Sequence, residues 1–434
     1  MSFRDKIRGA LIEKILGEGL QKLKRDIHKR NPWREKKITF FHDMTDYHSH
    51  LLLEYLTVQK EFPLDIDVVL IPGPTGDYDL VPDLRKKWNF RDAKILTSFW
   101  DLKFSLLNEL EKEPHIEPQL LAQSQRIFCA LMKKDIHIVK LIGAALLRGD
   151  EKSINEFEKK YGAVSEKEKE KKLSEGEKGI HKKGHYQGGM LYYEGEWYWG
   201  IDRFHYLSRR LKEEGIFEGT PLVRKKDPMQ KELQFLKERP SEDISIDFYF
   251  SFRSPYSYLA IDRILLLEKK YNLKINIRPV LPMVMRGLPV PAKKGMYIAL
   301  DTSRIARDLG IPFGCISDPV GKGVENCMAL YSFAVKNNLE REFIKSTTKG
   351  CWSEGLNLAN ENDLKKTLTR IGLDFQKAKP LLQSSSWKEM TDHNQSELNN
   401  LGLWGVPSFN YRGIHLWGQD RIDILEFLIQ KDFS

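Results

Sequence analysis

The feature that most constrains the fold of this chain is an internal repeat. Residues 246–259, IDFYFSFRSPYSYL, can be laid without a gap on residues 38–51, ITFFHDMTDYHSHL. Both segments have the pattern of an apolar strand, a short turn and the start of a helix. A second pair follows near the end of each half, where residues 190–207 and 408–425 share the core WGxDR. Two separated matches in the same order predict a tandem duplication.

The same order of elements is predicted in each half. A second strand-like run follows the first helix, near residues 64–73 and near residues 273–282, and a long, mostly helical block comes next. A β-hairpin then turns at residues 194–195 and 412–413. This order is typical of a thioredoxin-like domain with a helical insertion. We therefore predict an α/β protein of two such domains in tandem.

Domain boundaries follow from the repeat and from changes in composition. Residues 36–218 are predicted to form the first domain and residues 244–434 the second. Between them, residues 219–243 hold three prolines and alternating charges, which predicts a linker. Residues 1–35 are predicted to form a basic amphipathic helix. The charged run at residues 165–183 is predicted to be a solvated loop.

Charge and hydropathy limit the partners of the chain. The net charge is +9, but residues 1–37 contribute +7 through twelve basic against five acidic residues, so nucleic-acid binding is not expected. The basic helix is expected to pack on the protein, and a weak peripheral membrane contact through residues 1–30 is the alternative. The chain shows neither a membrane-spanning window nor a secretory signal, so we expect a cytoplasmic protein.

The four cysteines restrict the thiol chemistry. Cys129, Cys315, Cys327 and Cys351 include no CxxC pair and no zinc-like spacing. A dithiol oxidoreductase and a structural zinc site are therefore not predicted. A reacting thiol has to come from a ligand.

Three short motifs in the second half have both a structural and a functional interpretation. Ser254 and Pro255 lie between a predicted strand and a predicted helix, where they suit the N-cap and the first helical position. The same place favours an anion such as a thiolate, because a helix N-terminus carries partial positive charge. Pro407 begins a predicted strand, and a cis bond after Val406 would expose the Val406 backbone to a ligand. Asp420 is either an N-cap or part of a site for an α-amino and α-carboxylate pair.

Taken together, these motifs resemble those of a known family. Residues 244–430 are similar to the 2-hydroxychromene-2-carboxylate isomerases and kappa-class glutathione transferases, in the DsbA-like branch of the thioredoxin superfamily. The motifs that carry the resemblance are DFYFSFRSPYSYLA, PAKKGMYIALD, LGIPF, WGVPSF and LWGQDR. The resemblance implies glutathione as cofactor or substrate, and a small electrophile or an unsaturated ketoacid as the second reactant.

The resemblance also implies a set of glutathione-binding residues. Ser254 would hydrogen-bond the glutathione sulfur, and Val406, before a cis-Pro407, would bind the cysteinyl backbone. Gln419 and Asp420 would bind the γ-glutamyl end.

Further positions are implied around this set. Lys294 would lie near the glycyl carboxylate, while Ser257, Tyr297 and Arg253 would line the substrate pocket. Arg253 and Arg286 are either partners of an acidic substrate or solvated surface arginines.

Two departures from the family pattern concern the reaction. The GN-x-PP element of the family is absent, with Met285 about where its asparagine falls, and Ser251 replaces an aspartate after the first strand. The remaining motifs imply glutathione binding, whereas the asparagine that helps isomerisation is missing. The alternative hypothesis is a non-catalytic DsbA-like module that binds extended peptides or small acids.

The first half lacks the thiol motifs. Asp46 stands in place of Ser254 and Gly189 in place of Pro407, and an aspartate there would repel a thiolate. We therefore predict a degenerate structural copy that packs on the second half in place of a homodimer contact. The shared WGxDR core is expected to serve helix capping and packing.

A cluster in the first half suggests a metal site. It comprises His42, Asp43, Asp46, His48 and His50. Positions 46 and 50 share a helix face but position 48 does not, and no other group completes a ligand set. No metal is therefore predicted.

Overall fold

A computed structural model describes residues 13–30, 37–59, 65–131, 135–217 and 244–432. The chain divides into two compact units, residues 28–224 and residues 1–27 together with 225–434. The predicted linker, residues 219–243, lies outside the described residues.

The first unit contains a four-stranded sheet among its described residues. Its strands are β1 (Ile38–His42), β2 (Ile66–Leu70), β3 (Met190–Tyr193) and β4 (Glu196–Trp199). Its helices are α2 (Tyr47–Val58), α3 (Pro82–Phe99), α4 (Pro118–Ala130), α5 (Ile136–Arg148), α6 (Glu151–Tyr161), α7 (Glu166–Lys182) and α8 (Gly200–Glu213). The helix α1 (Glu18–Arg30) precedes them along the chain, and most of it belongs to the other unit. The strand order is β2-β1-β3-β4, with β1 parallel to β2 and the other pairs antiparallel.

The second unit contains another four-stranded sheet among its described residues. Its strands are β5 (Ser245–Phe250), β6 (Lys274–Pro279), β7 (Ser408–Tyr411) and β8 (Ile414–Trp417). Its helices are α9 (Pro255–Tyr271), α10 (Ala292–Leu309), α11 (Lys322–Lys336), α12 (Glu340–Ser353), α13 (Glu361–Thr369), α14 (Phe375–Ala378), α15 (Trp387–Asn400) and α16 (Ile422–Asp432). The order is β6-β5-β7-β8, with only β5 and β6 parallel among these pairs.

Both units therefore have the order of strands and helices that the repeat predicts. The two hairpin turns are confirmed as well. Glu194 and Gly195 have φ of 42° and 87°, and Arg412 and Gly413 have φ of 48° and 78°. Positive φ at both central residues is the geometry of a type I′ turn, whose twist matches that of the flanking strands.

Aromatic side chains form the core beneath the second sheet. Phe248 and Phe409 face each other across β5 and β7, with ring centroids 5.4 Å apart, and both are fully buried. Phe250 packs edge-on against Phe252 at 4.9 Å, where the chain leaves β5. Cross-strand aromatic pairs of this kind fix the register of a sheet, and so they fix the position of the loop that follows β5.

The predicted loop at residues 165–183 is wrong, because most of it is the helix α7. Ser165 caps the helix by accepting a hydrogen bond from the Glu168 N–H at 3.2 Å. Gly176 and Ile180, four residues apart, are buried, so the charged run contains a narrow inward face. A β-carbon at Gly176 would lie 2.1 Å from the Leu70 carbonyl oxygen, which shows how closely α7 approaches β2.

The predicted basic helix is described in part. Residues 13–16 and α1 are helical, and residues 1–12 and 31–35 lie outside the described residues. Leu16 is buried, and its carbonyl accepts hydrogen bonds from Ser303 Oγ and Arg307 Nη1, both at 3.0 Å. Among the helices that the structure describes, none has the length and apolarity needed to cross a membrane.

Candidate active site

One edge of the second sheet gathers the predicted site segments. β5 and β6 are parallel, so their C-terminal ends lie side by side. β7 is antiparallel to β5 and β8 to β7, so the start of β7 and the end of β8 lie at the same edge. The loops that carry Ser254, Val406 and Asp420 leave the sheet there.

Ser254 is the N-cap of α9, which confirms the structural interpretation of this residue. Its backbone is extended, with φ of −92° and ψ of 113°, and Pro255 takes the first helical position. The Ser254 hydroxyl accepts a hydrogen bond from the Ser257 N–H at 3.1 Å. It donates one to the Val406 carbonyl at 3.2 Å. The hydroxyl therefore joins the helix N-terminus to the loop before β7.

The Val406-Pro407 peptide bond is cis, as the sequence hypothesis required. The Pro407 carbonyl accepts a hydrogen bond from the Gly418 N–H at 2.8 Å. Ser408 Oγ donates to the Gly405 carbonyl, also at 2.8 Å. These bonds hold the proline loop against the turn that follows β8.

Two tryptophans support the same loop. Trp404 and Trp417 make an edge-to-face contact with ring centroids 4.5 Å apart. Gly405 lies directly on the Trp417 ring, because a β-carbon at that position would be 2.3 Å from the nearest indole atom. The glycine is therefore required by close approach, and the indole fixes the spacing between the proline loop and the end of β8.

Gln419 is a buried residue that faces the protein interior. It is 1% exposed. Its side-chain carbonyl accepts a hydrogen bond from Arg263 Nη1 at 2.7 Å, and Arg263 also binds the Asp423 carboxylate at 2.9 Å. The Gln419 amide donates to the Asp420 carboxylate. Gln419 therefore orients Asp420, which is half-buried.

The predicted capping role of the WGxDR core is wrong. Residues Gln419–Arg421 form a 3₁₀ turn whose N-cap is Gly418, so Asp420 does not cap it. In the first unit the N-cap of α8 is Trp199, and Asp202 lies in the first turn. An aspartate in the first turn still interacts favourably with the helix dipole.

The residues predicted around the substrate occupy different environments. Arg253 forms a two-point ion pair with the Asp318 carboxylate, with both N–O distances 2.8 Å. Ser257 is fully buried and its hydroxyl accepts from the Ser251 N–H at 3.5 Å, so it supports the loop from inside rather than lining a pocket. Lys294, half-buried, and Tyr297, buried, lie in the first two turns of α10.

The cysteines near this edge are unsuited to act as nucleophiles. Cys351 is buried with its Sγ 3.9 Å from the Phe252 carbonyl, and burial raises the pKa of its thiol well above the usual range. Burial also raises the pKa of Cys327. Both are neutral thiols at physiological pH.

Comparison with known proteins places this half of the chain in a family. Residues 245–430, fewer than half of the chain, match the family model of the DSBA-like thioredoxin domain. The C-terminal half is a DsbA-like thioredoxin domain. The 2-hydroxychromene-2-carboxylate isomerase of Sphingobium xenophagum is 26% identical over 192 residues, which are 42% of this chain and 96% of that protein. The enzyme of the same name from Pseudomonas putida is 24% identical over 189 residues, 42% of this chain and 92% of that protein.

One solved structure is also similar to this half of the chain. It is a 2-hydroxychromene-2-carboxylate isomerase structure that is 23% identical, with a TM-score of 0.39, and the match covers 44% of this chain and 100% of that chain.

Arg286 is a further residue at the site edge of the DsbA-like domain. It ends the short 3₁₀ helix Met283–Arg286, which follows β6. Its Nη2 donates to the Trp404 carbonyl at 2.8 Å, across 118 positions of sequence. Arg286 is half-buried, so the interpretation as a solvated surface arginine is wrong. A prediction from local pattern could not find this contact, because only the fold brings the two loops together.

The first unit has an equivalent loop arrangement with different chemistry. Asp46 caps α2 by accepting from the Ser49 N–H at 3.1 Å. The Gly200 N–H donates to the Gly189 carbonyl at 2.8 Å, like the bond from Gly418 to Pro407 in the DsbA-like domain. A carboxylate thus occupies the helix N-terminus where the DsbA-like domain has a hydroxyl.

The histidines and acids of the first unit form a buried network. His48 Nε2 binds the Asp92 carboxylate at 2.8 Å, and its Nδ1 lies 3.8 Å from Asp46. Asn89 donates to Asp46 at 2.9 Å. Among the described residues, no three of these groups converge as ligands of one metal ion.

Burial and charge shift the pKa values of this network in opposite directions. Burial opposes a charge on His48, but hydrogen bonds and charges of Asp46 and Asp92 outweigh it and raise the pKa of His48 to about 9. Burial, together with the charge of Asp46, raises the pKa of Asp43 to about 6. Burial, with the nearby His50, lowers the pKa of His42 to about 3. The hydrogen bond and charge of His48 outweigh burial and lower the pKa of Asp46, so His48 and Asp46 form a charged pair.

Proposed function

We propose that the DsbA-like domain is a glutathione-dependent isomerase or transferase of the 2-hydroxychromene-2-carboxylate isomerase type. Two curated relatives, matched over nearly their whole length, carry that name. The observation that carries the proposal is the Ser254 hydroxyl, held at the N-terminus of α9 beside the Val406-Pro407 bond. Serine at this place cannot form a disulfide, but it can stabilise a thiolate that a ligand supplies.

Ser254 has the bonding pattern that this role requires. Its oxygen accepts from the Ser257 N–H, which leaves the hydroxyl hydrogen for an acceptor. Without ligand the acceptor is the Val406 carbonyl. When glutathione binds, the hydroxyl would turn to the thiolate, and the helix dipole would add to the stabilisation. A hydrogen bond to a charged group contributes about 1.5–3 kcal/mol, which corresponds to a thiol pKa lowered by about 1–2 units.

The remaining glutathione contacts follow from the resemblance and from the loops around Ser254. The Val406 backbone would bind the cysteinyl part of glutathione. Asp420 would accept a hydrogen bond from the γ-glutamyl ammonium group. Gln419, itself held by Arg263, would keep the Asp420 carboxylate in place. Lys294 in the first turn of α10 would pair with the glycyl carboxylate.

The proposed reaction needs no oxidant and no net proton transfer. The thiolate adds to the carbon–carbon double bond conjugated to the ketone, a carbon–sulfur bond forms, and the electron pair moves to the enolate oxygen. Rotation about the resulting single bond follows. The enolate then re-forms the double bond and expels the thiolate, so that glutathione is regenerated. In a transferase, the thiolate would instead displace a leaving group and remain attached.

Glutathione titration by calorimetry tests the proposal. Wild type is expected to bind one glutathione per chain. Ser254→Ala is expected to retain most of the affinity while the pKa of the bound thiol, followed by thiolate absorbance, rises by about 1–2 units. Asp420→Ala is expected to lose binding. An unchanged thiol pKa in Ser254→Ala would refute the role of the serine.

Absence of saturable glutathione binding in wild type would instead favour the non-catalytic module for peptides or small acids.

We propose that the first half is a degenerate copy of the DsbA-like domain that binds no thiol. Equal strand orders and equivalent cap and loop hydrogen bonds support this. A stoichiometry of two glutathione molecules per chain would contradict it. The packing of the two halves on each other, the cytoplasmic location and the weak membrane contact through residues 1–30 stay predictions.

A further inference from the structure

Arg286 carries a charge that the described part of the protein leaves uncompensated. Its one hydrogen bond there goes to a neutral carbonyl, that of Trp404. Its Nε is buried without a hydrogen-bond partner among the described residues. Desolvation lowers the pKa of its guanidinium to about 10, so it is still charged at neutral pH.

Three other arginines of this domain have carboxylate partners. Arg253 is paired with Asp318 at 2.8 Å, and Arg263 with Asp423 at 2.9 Å. Arg278 on β6 lies 3.3 Å from Asp247. Removing a cation from water without an anion is costly, so proteins normally pair such groups. Arg286 departs from this pattern, because its bond among the described residues goes to a neutral carbonyl.

The position of Arg286 relates it to the proposed thiolate site. It follows β6, whose C-terminal end lies beside that of β5, the strand that leads to Ser254. It is bonded to Trp404, two residues before Val406, and Val406 in turn accepts from Ser254. The arginine and the serine thus hold neighbouring parts of one loop.

We propose that Arg286 binds the carboxylate of the electrophilic substrate and so makes the enzyme selective for unsaturated acids over neutral electrophiles. This inference rests on the proposed function of the Ser254 site. A guanidinium suits the task because its planar set of donors matches a carboxylate. The bond to Trp404 restrains the group, so an incoming acid would meet a preoriented cation. Arg286 is then a specificity-determining residue, whereas Ser254 acts on the sulfur.

Binding of an acid and its ester tests this directly. The probes are benzylidenepyruvate and benzylidenepyruvate methyl ester, titrated by calorimetry with glutathione absent and then present. Wild type is expected to bind the acid about 10–100-fold more tightly than the ester, the usual range for one hydrogen-bonded charge pair. Arg286→Gln is expected to lose that preference by weakening the acid alone. Arg286→Lys, which keeps the charge, should recover part of it.

Lys345→Gln is the matched control, because it also removes one positive charge. Lys345 is an exposed residue of α12 that pairs with Asp262 of α9. It is expected to bind acid and ester as wild type does. Equal binding of acid and ester by wild type would overturn the inference. So would an Arg286→Gln variant that loses only glutathione affinity, because the arginine would then bind a carboxylate of glutathione.

Failure of the proposed function would have a different signature. Wild type would show no glutathione binding, yet it would still prefer the acid to the ester and Arg286→Gln would still abolish that preference. Circular dichroism of Arg286→Gln, compared with wild type, confirms that a loss of acid binding reflects the missing charge in a folded chain.

Discussion

Replacing Gly405 by alanine tests the packing that joins the proline loop to the turn bearing Asp420. A β-carbon at position 405 would lie 2.3, 2.5 and 2.7 Å from three atoms of the Trp417 ring. Favourable contact between carbon atoms begins at about 3.5 Å, so the ring has to move by about 1 Å. Alanine at this position is therefore expected to overpack the site.

The indole ring of Trp417 has little room to yield. It contacts Trp404 edge-on at 4.5 Å, and the next residue, Gly418, donates to the Pro407 carbonyl at 2.8 Å. Overpacking of this kind costs about 1–3 kcal/mol. The φ of Gly405 is not positive, so alanine fits the backbone and recovers about 0.4–1 kcal/mol by restricting the unfolded chain. The midpoints of these two ranges give an expected net loss of about 1 kcal/mol.

Denaturant unfolding measures this loss, and near-ultraviolet circular dichroism reports the environment of the tryptophan pair. Gly295→Ala is the matched control, because nothing lies within 4 Å of a β-carbon added there in α10. It is expected to stabilise the protein by about 0.5–1 kcal/mol. The packing argument is refuted if Gly405→Ala unfolds like wild type and leaves the tryptophan spectrum unchanged.

Two further predictions concern the first unit. Gly176→Ala places a β-carbon 2.1 Å from the Leu70 carbonyl, so faster hydrogen exchange in residues 166–182 is expected, and unchanged exchange would contradict the packing of α7 on β2. The pKa of His48 is raised from 6.5, its value in the unfolded chain, to about 9 in the folded protein. Protonated His48 therefore stabilises the folded protein fully below pH 6.5, and this contribution is lost as the pH rises through 9. Between these pH values the free energy of unfolding of wild type is expected to fall by about 3 kcal/mol, and that of His48→Gln is not. Denaturant unfolding at several pH values measures both. An equal pH dependence of the unfolding free energy in the two proteins would refute this role of His48.

Local signals in the sequence were enough for much of the fold. The hairpin turns could be predicted from the residue pairs at 194–195 and 412–413 alone. The helix cap at Ser254 could be predicted from its neighbours in the sequence. Each of these structures is determined by residues close in sequence, so their pattern predicts them. The helix α7 was missed for a physical reason: its inward face is narrow, and the surrounding lysines and glutamates dominate any average over the segment.

The errors at the site arise from contacts across the fold. Gln419 is oriented by Arg263, 156 positions away, and Arg286 is held by Trp404, 118 positions away. The capping role expected of Asp420 failed because the chain enters a 3₁₀ turn at Gly418 first. Such partners can be identified only when the loops have been placed at one edge of the sheet.

The two units differ at the helix N-terminus in charge rather than in geometry. Ser254 and Asp46 each accept a backbone hydrogen bond three residues ahead at 3.1 Å, from Ser257 and from Ser49. A hydroxyl caps the helix while leaving the positive end of the dipole available to an anion from outside. The Asp46 carboxylate is itself that anion, and the Asn89 amide and the Asp92-bound His48 surround it. The helix cap is thus a neutral hydroxyl in the DsbA-like domain and a carboxylate in the first unit, and this difference is the reason for proposing thiol chemistry in the second half only.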